Sequence, residues 1–173
     1  MKIKKYGCDQ DQAIREYSKK WAKVFRGFVQ KQNGNQKISV YGEQYTGYWV
    51  YGYYFKYHNT EYILGGTSLA DIGNSEERFE IVPFSVCRCT GWKAYDHNRV
   101  NRLPLFEYDL VSADVSVAGL IKTVDYHFDN MVVYWNAKAL SWGIMPNSDD
   151  DEIKSYPINT DWDLTIKGTL MDV

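Results

Sequence analysis

The sequence predicts an α+β protein that is mainly β, with a basic helical arm over residues 1–24 and a β-rich domain over 25–173. Three observations support that class. The chain holds 15 Tyr, 7 Phe and 6 Trp in 173 residues, and Tyr suits half-buried sheet positions because its ring packs while its hydroxyl reaches water. After residue 24 the apolar pattern has a period of two, most cleanly from Trp162 to Met171. Before it, Ile14, Tyr17, Trp21 and Val24 recur at spacings of three and four, as on one face of a helix.

In the arm, Asp9 or Asp11 supplies a cap, and Lys19, Lys20 and Lys23 fall on the other faces. Residues 1–31 carry nine Lys/Arg against three Asp/Glu, whereas residues 32–173 carry eleven against nineteen. Two readings stay open: the arm packs on its own acidic body, or it grips nucleic acid or another chain. From Tyr48 to Tyr57 both alternating faces are apolar or aromatic, the pattern of a central strand covered on both sides or of part of a curled sheet. His58 to Thr60 reads as a turn, and Glu61 to Leu64 as the returning strand. Gly65 to Ser75 reads as a loop, Phe79 to Val82 and Val86 to Thr90 as short strands, and the polar stretch 93–104 as a long loop. Four further strands are expected at Leu120 to Tyr126, Met131 to Trp135, Leu140 to Ile144 and Trp162 to Met171. In the last, Trp162, Leu164, Ile166, Gly168 and Leu170 share the buried face.

Composition narrows the class. At 45% apolar and 24% charged residues the chain is ordinary globular sequence, and folding at this length removes roughly 70% of the unfolded surface without needing disulfides or metal. The uncharged run from Gly47 to Phe55 is too short to span a bilayer. No apolar segment follows the basic start, so no signal peptide is expected. Three cysteines suit a reducing compartment.

Several short segments occur in a specific order: Phe25-Arg26-Gly27; Gly47, Trp49, Val50, Tyr51 and Gly52; Val82-Pro83 with Val86; Thr90-Gly91-Trp92-Lys93; Phe106, Glu107, Asp109, Leu110 and Val111; and a closing strand through Gly168. This succession resembles the YopX family of small proteins from temperate phages and prophages. The chain departs from the family pattern where Cys87 and Cys89 replace a Gly and an aromatic, and where Tyr108 replaces a Gly. The resemblance implies an antiparallel β fold with a small curled sheet or SH3-like barrel in the C-terminal half. It also implies a phage or prophage product in a bacterial cytoplasm, and no specific activity.

The chemical constellations are sparse. Cys87 and Cys89 share a strand face, as metal ligands or as small core residues. Glu107 and Asp109 also sit two apart, as an acid/base pair or as a structural turn. His58, His97 and His127 are scattered, and no G-x-S-x-G, H-E-x-x-H or phosphate-binding glycine loop occurs. Arg88, Lys93, Arg99 and Arg102 lie near Trp92 and Tyr95, a basic and aromatic mixture suited to single-stranded nucleic acid or to a solvated surface. Tyr48, Tyr53, Tyr54 and Tyr57 serve an interface or the core. The sequence therefore leads to a non-catalytic accessory protein with no catalytic residue, metal or cofactor. Its expected partners are a second copy of itself or a phage or host protein. Nucleic acid comes second, an enzyme built around Glu107, Asp109 and a histidine third, and no membrane contact is expected.

Overall fold

A computed structural model describes residues 24–73, 77–148, 155–159 and 162–173. They form twelve strands and one turn of 3-10 helix, Leu69–Asp71, capped by Ser68. The fold of the described residues is therefore β, not the expected α+β. The helical arm expected over residues 1–24, with Lys19, Lys20 and Lys23, lies outside the described residues up to position 23, and Val24 is not helical. The chain divides into two compact units, one ending at Cys89 and the other spanning Thr90–Asp172.

The first unit contains β1 (Phe25–Gln30), β2 (Gln36–Val40), β3 (Glu43–Tyr57), β4 (Thr60–Gly66) and β5 (Glu77–Glu80), and it takes in the start of β6 (Cys87–Tyr95). β3 pairs antiparallel with β1, β2 and β4. Val50 on one face and Trp49, Tyr53 and Phe55 on the other are buried, while Tyr48, Tyr54 and Tyr57 are half-buried. His58 and Asn59 both adopt positive φ, +48° and +64°, as a two-residue hairpin turn of matching twist requires. After β5 the chain returns to β1: the Val82 amide donates to the Phe28 carbonyl at 2.8 Å, and the Phe28 amide donates to the buried Ser85 hydroxyl at 3.0 Å. Val50, Ile63, Phe79 and Ile81 fill the space enclosed. Gly27 leaves room for them: a Cβ there would lie 2.7 Å from Ile81 Cδ1 and 2.9 Å from Ile81 Cγ2, so a larger residue would displace Ile81.

The second unit continues β6 and adds β7 (Arg102–Phe106), β8 (Asp109–Ala118), β9 (Thr123–Asn136), β10 (Ser141–Pro146), β11 (Tyr156–Pro157) and β12 (Trp162–Thr169). Its strand order is β11-β10-β9-β8-β12-β6, with β7 beside β6. β12 runs parallel to β6 and antiparallel to β8. Ala94, Leu105, Val111, Ala113, Met131, Val133, Ile144, Ile158 and Leu164 form the core. Among the described residues no pairing joins β11 to β6 or β7, so the described strands of this half form an open mixed sheet.

Three sequence expectations change here. Residues 93–104 are a hairpin, not a loop. The Asp96 carboxylate accepts from the Val100 amide at 2.8 Å and the Asn101 side chain at 2.9 Å, closing the turn between β6 and β7. Leu120 begins no strand: Gly119–Lys122 is the turn between β8 and β9, and Thr123–Asn136 is one continuous strand. Leu170 is 46% exposed, because the register between β12 and β8 shifts between Ile166 and Gly168 and Thr169 turns inward instead. A bulge inserts one residue and so exchanges the faces beyond it.

Candidate interaction surface

The family-motif residues sit in structural roles. Phe25 opens β1, and Arg26, buried, lies 4.8 Å from the Trp49 ring centroid. Tyr51 is half-buried opposite Arg26, Gly52 lies opposite Gly65, and Pro83 is exposed. The Thr90 hydroxyl accepts from the Trp92 amide and donates to the Leu105 carbonyl, while Gly91 takes φ +83°. Glu107 and Asp109 do not share a strand face. Glu107 lies in the turn before β8 and Asp109 is the first residue of that strand, where its carboxylate, 1% exposed, accepts from the Phe106 amide at 2.8 Å. Tyr108 between them has φ +67°, the conformation that Gly adopts without strain. Gly168 follows the β12 bulge, where a Cβ would lie 2.7 Å from an Asp172 carboxylate oxygen.

Cys87 is buried and its thiol donates to the Ser85 carbonyl at 3.4 Å, whereas Cys89 is half-buried. Among the described residues no group of three or more His, Cys, Asp or Glu side chains is placed to hold a metal ion, and no helix is long and apolar enough to cross a membrane.

The basic residues divide. Arg88 belongs to the first unit and is exposed; Lys93, Arg99 and Arg102 are exposed in the second. Arg99 and Arg102 both stand over the Tyr95 ring, at 5.1 and 4.4 Å, and so occupy the surface on which a base would stack. Arg99 also reaches Asp114 at 3.0 Å and Asp163 at 3.7 Å, and Arg102 reaches Asp163 at 3.7 Å. On the other side of Asp114, His127 Nδ1 lies 2.6 Å from a carboxylate oxygen, and its Nε2 lies 3.9 Å from Asp129. β8, β9 and β12 bring Asp114, His127 and Asp163 side by side, because these residues are register partners. A charged ladder results, with cations matched by carboxylates.

Titration of this ladder is set by the short contact. The Asp114 hydrogen bond raises the His127 pKa above 6.5, and the same bond lowers the Asp114 pKa below 3.8. His127 thus contributes stability fully below pH 6.5 and loses it as pH rises through its raised pKa. Asp114 contributes above pH 3.8 and loses it as pH falls through its lowered pKa. Their pairing is complete between roughly pH 4 and 6.5. A proton NMR titration should place the His127 midpoint above that of the same histidine in the urea-unfolded chain. Asp114→Asn should bring it back down, and an unchanged midpoint in that variant would disprove the pairing.

The other face of the same hairpin is apolar. Ala113, Val115 and Val117 of β8 stand opposite Phe128, Tyr126 and Val124 of β9. This face begins in the core at Ala113 and leaves it: Val117 and Tyr126 are half exposed, and at the tip Leu120 and Ile121 are 108% and 97% exposed. The register shift between Val111 and Ala113, with Asn130 at φ +54°, bends the hairpin at its base. Among the described residues neither outer strand follows it to the tip: the β10 side reaches β9 at Met131, with one further bond at 2.9 Å from the Asn147 amide to the Asn130 carbonyl, and β12 is paired with β8 as far as Val115. The sequence reading missed this arm because Leu120-Ile121 looks like strand rather than turn. The usable signal was the alternation through Asp125, His127 and Asp129 against Val124, Tyr126 and Phe128.

No family model, curated protein or solved structure matches the chain.

Proposed function

We propose that this chain is a non-catalytic phage or prophage accessory protein that acts in the bacterial cytoplasm by binding another protein chain. The observation that carries the binding role is the β8–β9 hairpin, whose apolar face and tip leave the core uncovered. Monomeric soluble proteins rarely leave large contiguous apolar patches open unless they serve an interaction. The resemblance to the YopX family supports the phage origin. Nucleic-acid binding is less favoured, since Arg99 and Arg102 are matched by Asp114 and Asp163.

The experiment is a comparison of wild type with a Leu120→Asp, Ile121→Asp variant as immobilised baits in lysate from a lysogenic bacterium. Wild type should retain protein that the variant does not. Identical retention by both, or wild-type binding to heparin that falls steeply with salt, would overturn the reading.

A further inference from the structure

The β9 segment Thr123–Asp129 has an outer edge that no strand pairs among the described residues. An unpaired strand edge presents a row of amide and carbonyl groups ready to pair with another chain. The other exposed edges are blunted. β5 has four residues, of which Glu77, Arg78 and Glu80 are charged; β7 contains Pro104; β11 has two residues; β2 carries Lys37. The β9 edge is longer, with seven residues and no Gly, Pro or Lys; its charged Asp125 and Asp129 alternate with Val124, Tyr126 and Phe128, which suit a strand.

We propose that the partner of this edge is a second copy of the chain, paired antiparallel about a two-fold axis at Tyr126. This rests on the reading of the hairpin as a protein-binding arm. Directly opposite residues of an antiparallel pair project on the same face. With Tyr126 on the axis, Asp125 of one copy faces His127 of the other, twice. Val124 faces Phe128 twice, Thr123 faces Asp129 twice, and the two Tyr126 rings meet. The apolar faces of the two hairpins then continue as one sheet surface, and so do the polar faces.

Charge selects this register. An axis at residue 125 sets Asp125 against Asp125, and an axis at residue 127 sets Asp125 against Asp129. Like charges directly opposite are destabilising. An odd shift sets apolar against charged side chains throughout. Longer shifts drive one copy into the Gly119–Lys122 turn, or into Met131, whose outer edge β10 already occupies. The pairing is isologous, so it closes at two copies.

Solution mass by light scattering should be about twice the 20.2 kDa of one chain. Asp125→Lys and His127→Asp should each give a monomer when alone. Mixed together they should restore the doubled mass. The introduced lysine of one variant then faces the introduced aspartate of the other, and the two native residues, His127 and Asp125, face each other across the axis. Tyr126→Cys should crosslink to a covalent dimer under mild oxidation, beyond the level seen with wild type. Opposite Cα atoms in such a pair lie about 4.5–5.5 Å apart, within disulfide reach. Val124→Cys should not crosslink, since Phe128 faces it. A wild-type monomer at all concentrations would overturn the proposal. So would a dimer that persists in both charge variants, or equal crosslinking at positions 124 and 126. The crosslinking arm stands even where a charge variant fails to fold. A monomer that still retains protein through Leu120 and Ile121 would remove the dimer and leave the binding role. A dimer whose tip variant retains the same proteins would do the reverse.

Discussion

Gly52→Ala should destabilise the chain by about 3 kcal/mol or more, at the upper end of what overpacking does. Gly52 lies directly opposite Gly65 in the β3–β4 pair. A Cβ at position 52 would fall on the Leu64 carbonyl oxygen, 2.7 Å from the Leu64 carbonyl carbon and 2.9 Å from Gly65 Cα. These are all backbone atoms, so no rotamer change relieves the overlap and the strands must part. β3 also carries the pairings to β1 and β2, so the strain reaches the centre of the first unit. With a total stability of order 5–15 kcal/mol, such a loss moves a urea midpoint far to the left. A cost under about 1 kcal/mol would show that the strands separate there without resistance.

Leu164→Ala should cost about 2–5 kcal/mol, whereas Leu170→Ala should stay within about 0.5 kcal/mol. Strict alternation along Trp162 to Met171 places both residues on one buried face. The structure places Leu164 in the core of the second unit at 3% exposure and Leu170 outside at 46%. The bulge between Ile166 and Gly168 is the cause. Equal losses for the two variants in parallel urea melts would mean that the register continues unbroken to Leu170.

That pair also marks how far the sequence could be read. Alternation made β3 legible, and His58-Asn59-Thr60 marked its hairpin, because those signals lie within a few residues of one another. The same rule identified β12 and failed past Ile166, since a bulge leaves no trace in the alternation before it. Polarity misled over residues 93–104, because the side chains that close the Asp96–Asn101 turn are the kind that also fill loops. Hydrophobicity misled at Leu120 and Ile121, which are apolar without being buried. Of the site, the proximity of Arg99 and Arg102 to Tyr95 followed from short spacing. Their partners Asp114 and Asp163, and the pairing of Asp114 with His127, did not. Those contacts depend on strand order, which brings together residues separated by up to 64 positions in sequence.

The position of β12 has a consequence for how the second unit assembles. The hairpins from β6 to β7, β8 to β9 and β9 to β10 connect neighbours in sequence, so each can form soon after its own residues leave the ribosome. β12 lies between β8 and β6 yet comes after all of them in the chain. Until it arrives, the flank of β8 that it will occupy has no strand of its own to pair with, and Val111 and Ala113 lack the cover of Leu164. Closing that gap requires a non-local contact, which slows folding and prolongs the interval in which nascent chains can associate wrongly. The contacts of β12 with β8 and β6 are thus the ones in this unit whose formation waits for its last residues.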